Sequence, residues 1–234
     1  ELIVATALII LCGSQLTFAG GVGAVLLMIL GIICAAVIIT SGGGEMMSTG
    51  KEGASGGLIY GTGAEVNLAS GTLRGLVNDT PVSTGGVMYL TADSVFNMTG
   101  GTVTGGYASG DGGNIYLWTG CVMNISGGTI ENGISGDRGG NILIGEKCSF
   151  TMSGGAVKGG YATEQGGNIR LNYSNTDVTI SGGTIYGDIA IFSAKTFVLS
   201  GSPRILMGNS SGLILVVSMA ERELYISTCG EAIN

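Results

Sequence analysis

The chain has 234 residues, of which 46 are glycine and 2 are proline; apolar residues make up 45% and charged residues 11%. Glycine at about one position in five argues against an all-helical fold, the shortage of proline excludes collagen, and the apolar content is the opposite of a disordered chain. The net charge of −7 with scattered Lys and Arg leaves no basic patch for nucleic acid, and the absence of histidine removes Ser-His-Asp, Cys-His and histidine-ligated metal chemistry.

In chain order, residues 1–45 form an apolar segment. Residues 2–40 carry no charged side chain, and 21–40 is about the length that crosses a bilayer. One reading is a membrane-associated, transmembrane segment. The other is a set of degenerate N-terminal coils, because Leu16-Thr17-Phe18-Ala19-Gly20-Gly21 is similar to Val178-Thr179-Ile180-Ser181-Gly182-Gly183. Both readings stay open on the sequence.

Residues 46–234 are governed by an internal repeat. Gly112-Gly113-Asn114-Ile115 recurs as Gly139-Gly140-Asn141-Ile142 and Gly166-Gly167-Asn168-Ile169, with worn copies earlier at Gly85-Gly86-Val87-Met88 and Gly56-Gly57-Leu58-Ile59. A second phrase follows each time: Thr99-Gly100-Gly101-Thr102-Val103, Ser126-Gly127-Gly128-Thr129-Ile130, Ser153-Gly154-Gly155-Ala156-Val157 and Ser181-Gly182-Gly183-Thr184-Ile185. The interval is about 27 residues, the length of one supersecondary unit. Later worn copies lie at Gly187-Asp188-Ile189, Ser200-Gly201-Ser202 and Gly212-Leu213-Ile214.

Within a repeat the apolar period is two. Ile115 and Leu117 share a face, as do Met123 and Ile125, while Asn97, Asn124, Thr151 and Thr179 lie opposite. This predicts three short strands per repeat. Each is too short to bury its apolar face alone, so the repeats must stack, matched residues forming columns. The expected fold is all-β: a parallel β-helix of about six or seven coils, with glycine pairs at the corners. Glu131 and Lys158 should then meet as an ion pair on adjacent coils. A C-terminal cap is expected at 219–231, and uncapped coil ends would be open sheet edges, a route to self-association.

The Gly-Gly-Asn-Ile and Ser-Gly-Gly-Thr-Ile phrases resemble those of right-handed parallel β-helix repeat proteins of the bacterial adhesin-like and pectate-lyase-like surface type. The resemblance implies a right-handed helix and a scaffold that carries lyases, hydrolases and binding stalks alike.

Two residue sets could carry function. Tyr89, Tyr116 and Trp118 on the outer face of the first strand, with Asn97 and Asn124, would make a carbohydrate-binding surface. Tyr107 and Tyr161 add aromatic rings at a corner. Asp111, Asp137 and Glu164, near one corner of successive coils with Arg138 and Arg170 beside them, are the acidic cluster that a polysaccharide lyase or glycoside hydrolase would use; their plain alternative is solvated turn residues. Cys121 and Cys148, one interval apart, should stack in an inward column as buried free thiols. No Cys-x-x-Cys occurs, and no metal site or cofactor is expected. Sequons lie at Asn78, Asn97, Asn124, Asn172 and Asn209. The expected function is a non-catalytic adhesin or stalk at the cell surface, membrane-anchored or extracellular, presenting a repetitive polar face to glycans or surface proteins. The alternatives are a polysaccharide-cleaving enzyme and a filament-forming structural protein.

Overall fold

A computed structural model of the chain describes residues 17–19, 36–39, 45–48, 52–75, 80–173, 175–191, 194–206 and 224–226. The chain winds as an all-β parallel solenoid, and no described residue is helical. The first ladder has six strands: Ile59–Thr62, Met88–Thr91, Ile115–Thr119, Ile142–Glu146, Ile169–Leu171 and Ile189–Ile191. Its register places Ile115 on Met88 and under Ile142, and Ile142 under Ile169, one repeat apart at each step of the glycine-asparagine phrase.

The second ladder stacks Glu65–Leu68, Val95–Met98 and Val122–Ile125, and the third stacks Glu45–Met47, Thr72–Arg74, Thr102–Thr104 and Thr129–Glu131. In the next two coils both ladders share single 10-residue strands, Ser149–Lys158 and Asp177–Tyr186, whose mutual register shifts beside Ser153. Thr196–Leu199 and Arg204–Leu206 then continue the two ladders separately. A fourth, three-stranded ladder of Tyr107–Ala108, Ile134–Ser135 and Tyr161–Ala162 lies beyond the three that the periodicity predicts. Strands of two residues are too short to display an alternation.

The core is a set of vertical columns. Val66, Phe96, Met123, Phe150, Val178 and Phe197 stack in the second ladder, each in register with the next and all buried. Rings alternate with narrower side chains there, which lets side chains on coils about 4.8 Å apart interdigitate. Leu73, Val103, Ile130, Val157 and Ile185 form the buried column of the third ladder. The expected Glu131–Lys158 pair forms at 3.1 Å on a wet surface, where it adds well under about 1 kcal/mol.

The two glycines of the repeated phrase have separate reasons. Gly139 adopts φ +67°, and a Cβ there would sit 2.7 Å from the Ile142 carbonyl oxygen. At Gly140 a Cβ would lie 2.2 Å from the Gly167 carbonyl oxygen of the next coil. The first glycine makes the corner; the second lets the coils close on one another.

The asparagine of that phrase turns inward. Asn114, Asn141 and Asn168 are buried. Asn114 Nδ2 donates to Asn141 Oδ1 at 2.7 Å, and Asn141 Nδ2 donates to Asn168 Oδ1 at 2.8 Å. The oxygens accept from the backbone N–H of Gly106, Gly133 and Gly160, and the nitrogens also donate to the carbonyls of Glu131, Lys158 and Tyr186. The amides thus close the junction between the third-ladder strand and the corner after it, a polar seam inside an apolar solenoid.

At the ends, Ala36–Ile39 adds to the second ladder in the regular parallel register, Val37 on Val66 and Ile39 on Leu68. Thr17–Ala19 instead runs antiparallel along Glu45–Met47, not on the second ladder where its similarity to Val178-Thr179-Ile180 would place it. Leu224–Ile226 extends the second ladder at the other end. Among the described residues no helix is long and apolar enough to cross a membrane. The remainder of the apolar segment 2–40, the phrase at Gly212-Leu213-Ile214, most of the expected cap, the sequons at Asn78 and Asn209, and Cys12, Cys34 and Cys229 lie outside the described residues.

Candidate functional site

The outer face of the first ladder carries one column, Tyr60, Tyr89, Tyr116, Leu143, Arg170 and Ala190, set by alternation against the inward Ile and Leu. The rings of Tyr60 and Tyr89 stack at 5.2 Å with planes 13° apart. Tyr116 meets Tyr89 edge-on at 5.4 Å, and Trp118 meets Tyr116 edge-on at 5.6 Å. Four rings therefore form a continuous strip across three coils, in geometries that aromatic quadrupoles favour.

The strip is less open than the sequence predicts. Trp118 is 42% exposed, but Tyr116 is 4% exposed, and Leu143 and Arg170 are buried. Tyr60 and Tyr89 are half-buried. The alternation correctly places Tyr116 outward, yet the glycine corner leans over it. A Cβ on Gly112 would stand 2.8 Å from the Tyr116 Cβ, and Gly139 and Gly166 stand equally close over Leu143 and Arg170. Periodicity identifies a face and is silent about what lies upon it.

Asn97 and Asn124 lie on the second ladder, not beside the rings. They are half-buried and bonded to each other: Asn124 Nδ2 donates to Asn97 Oδ1, and Asn97 Nδ2 to Asn67 Oδ1, both at 2.9 Å. Tyr161 is 61% exposed and stacks with Ile134 and Tyr107 on the fourth ladder, away from the strip.

The acidic residues fall in two columns. The 27-residue interval joins Asp111 to Arg138, whose guanidinium grips it through two bonds, Nε to Oδ1 at 3.0 Å and Nη2 to Oδ2 at 2.9 Å. Asp137 meets the same guanidinium at 3.4 Å. Glu164 stacks on Asp137, its N–H donating to the Asp137 carbonyl at 2.9 Å. Asp111 is thus one column away from the other two, and a cation stands between the aspartates. No group of three His, Cys, Asp or Glu placed to hold a metal occurs among the described residues.

Arg170 continues this rim. Its guanidinium donates to Gln165 Oε1 at 2.5 Å and to Asn172 Oδ1 at 3.3 Å. Burial, and then the nearby Arg138 charge, lower its pKa. Burial pushes the Asp111 carboxyl up, against the opposing pull of Arg138. Burial also raises the phenols of Tyr89 and Tyr116, helped by Tyr60 at the first and by Asp111 at the second.

The two phenols have a measurable consequence. Their folded-state pKa values lie above the ordinary 10.0, so their contribution is whole below that pH and is lost as the unfolded chain ionises above it. Stability should fall between about pH 9 and about pH 11, and Tyr116→Phe should flatten that fall. Urea midpoints of both proteins at the two pH values measure it; parallel slopes would contradict the placement of Tyr116.

Sequence reasoning passed over Tyr60, the Asp111–Arg138 pair and the buried asparagines. The last had a visible signal, an asparagine recurring beside an inward isoleucine, where a surface turn residue has no reason to be so regular. Comparison with protein-family models, with curated proteins and with solved structures returned no match.

Proposed function

We propose that the protein is a non-catalytic stalk or adhesin of the cell surface, membrane-anchored or extracellular, that binds glycans along the outer face of its first ladder. The observation that carries this reading is the strip of Tyr60, Tyr89, Tyr116 and Trp118, with Trp118 open to solvent. Aromatic faces stack on the apolar faces of sugar rings, and a flat, pre-ordered ring loses little entropy on binding. Half-buried Gln165 and Asn172, held by Arg170 beside the strip, are the polar groups such a ligand would meet. The repetition itself favours a long ligand touching several coils, each contact weak and the sum useful.

A glycan array probed with the full chain tests the proposal. Binding to a defined set of glycans is expected, and Trp118→Ala should weaken it about tenfold or more while leaving the melting temperature unchanged within a few degrees. Signal no higher than background across the array, or full binding by Trp118→Ala, would overturn it.

A polysaccharide-cleaving enzyme is the second reading, favoured by one observation: Asp111 is a half-buried carboxyl with a raised pKa, held by Arg138. It requires that the wild-type chain cleave a polysaccharide and that Asp111→Asn abolish the cleavage.

A further inference from the structure

Where the chain passes from the first ladder to the second, each coil places one small side chain inward. Ser94, Cys121, Cys148 and Thr176 form this column, and all four are buried. The backbone holds them in step: Val122 N–H donates to the Ser94 carbonyl, Ser149 N–H to the Cys121 carbonyl and Asp177 N–H to the Cys148 carbonyl. Each side chain donates to a carbonyl at its corner, Ser94 Oγ to Thr91, Cys121 Sγ to Thr119, Cys148 Sγ to Glu146 and Thr176 Oγ1 to Gly145. A serine or threonine satisfies that need at two of the positions. Thiols are weak donors, so hydrogen bonding alone gives no reason for two adjacent cysteines.

Adjacency supplies one. In-register residues on neighbouring parallel strands lie about 4.8 Å apart at Cα, inside the range of about 4.4–6.8 Å that disulfides occupy. Cys121 and Cys148 are free thiols in this structure. We propose that they are a cross-linking site, oxidised together by a small-molecule disulfide while the chain folds, so that a covalent bond joins two successive coils.

The chemistry is thiol–disulfide exchange. One of the two cysteine thiolates attacks one sulfur of the small disulfide, forming a mixed disulfide and expelling one small thiolate. The other cysteine thiolate then attacks the protein sulfur of that mixed disulfide and expels the second. Two protein protons are released, the small disulfide is reduced to two thiols, and the Cys121–Cys148 bond is the oxidised product. Both sulfurs are sealed in the folded solenoid, so the exchange belongs to the stage before these coils close. The bond would close a loop of one coil, about 27 residues, and so restrict the unfolded chain. This inference is independent of glycan binding and survives its failure.

The test is to refold the full chain with a mixture of oxidised and reduced glutathione, block the remaining thiols, and digest with trypsin without reduction. Cleavage after Arg138 and Lys147 places Cys121 and Cys148 on different peptides. A cross-linked peptide pair containing both is expected, and the oxidised protein should melt higher than the reduced one by roughly 5–10 °C. Cys121→Ser puts in the residue that Ser94 already supplies to this column; it should fold, lose the cross-linked pair and lose the difference in melting temperature. Recovery of both peptides with blocked thiols, or their linkage to Cys12, Cys34 or Cys229, would overturn the proposal.

Discussion

Asn141→Ala should lower the unfolding free energy by about 4 kcal/mol, a drop in melting temperature of roughly 10 °C. The Asn141 amide is fully used. Its oxygen accepts from Gly133 N–H at 2.9 Å and from Asn114 Nδ2 at 2.7 Å, and its nitrogen donates to the Lys158 carbonyl and to Asn168 Oδ1, each at 2.8 Å. Alanine removes all of these bonds and strands the Gly133 N–H inside the solenoid, away from water, while the Lys158 carbonyl keeps its bond from Asn132 N–H at 3.2 Å. Each bond contributes about 1 kcal/mol net, and each stranded buried group costs about 1–3 kcal/mol, so relaxation must recover part of the loss to leave about 4. Asn124→Ala is the control. Asn124 sits in a chain of the same pairwise kind, but half-buried on the outside, where water replaces the lost partner. Its cost should stay below about 1 kcal/mol. Urea unfolding followed by circular dichroism compares the two; equal costs would mean that the inner asparagines are no seam.

Gly140→Ala should be about as damaging, costing about 3–5 kcal/mol, through sterics alone. The added Cβ would lie 2.2 Å from the Gly167 oxygen, 2.4 Å from the Tyr161 nitrogen and 2.5 Å from the Tyr161 carbonyl carbon. All three are backbone atoms, so no side chain can swing aside. The coil spacing is held at the same place by the Gly140 N–H bond to the Gly166 carbonyl at 3.0 Å. Relief requires separating two coils and weakening their ladders. Gly53→Ala separates space from backbone conformation. Gly53 has φ +76° but nothing within 4 Å of its Cβ position, so alanine there should cost only about 1–2 kcal/mol. If Gly140→Ala were as mild as Gly53→Ala, close stacking of the coils would not be what the second glycine of the phrase provides.

Both predictions rest on a phrase that is plain in the sequence, and the fold was legible for that reason. The recurrence of Gly-Gly-Asn-Ile set the coil length, and Ile115, Met123 and Val103 each announced a column through period-two alternation. The Glu131–Lys158 pair followed from the interval alone. What the sequence concealed lay between columns and over faces. The fourth ladder of Tyr107, Ile134 and Tyr161 is too short to alternate. Asp111 reads as an equal of Asp137 and Glu164 because all three are acidic corner residues; the register sets it one residue apart and gives it Arg138. Tyr116 reads as an outward ring, and the cover that Gly112 places over it is a property of the corner's path, which no single-residue pattern encodes. The aromatic strip was half legible: Tyr89, Tyr116 and Trp118 from alternation, Tyr60 only from the register that lays it on Tyr89.

The arrangement of the candidate site inherits everything from the stacking of coils, because rings and guanidiniums meet across coils rather than along the chain. Methyl-resolved NMR of an isoleucine-labelled sample tests that stacking most directly. Cross-relaxation should connect Ile115 with Ile142 and Ile142 with Ile169, as in-register neighbours, and should be absent between Ile115 and Ile169, which are two coils apart. Missing Ile115–Ile142 and Ile142–Ile169 contacts, in spectra where both methyls are assigned, would contradict the solenoid and the site built on it.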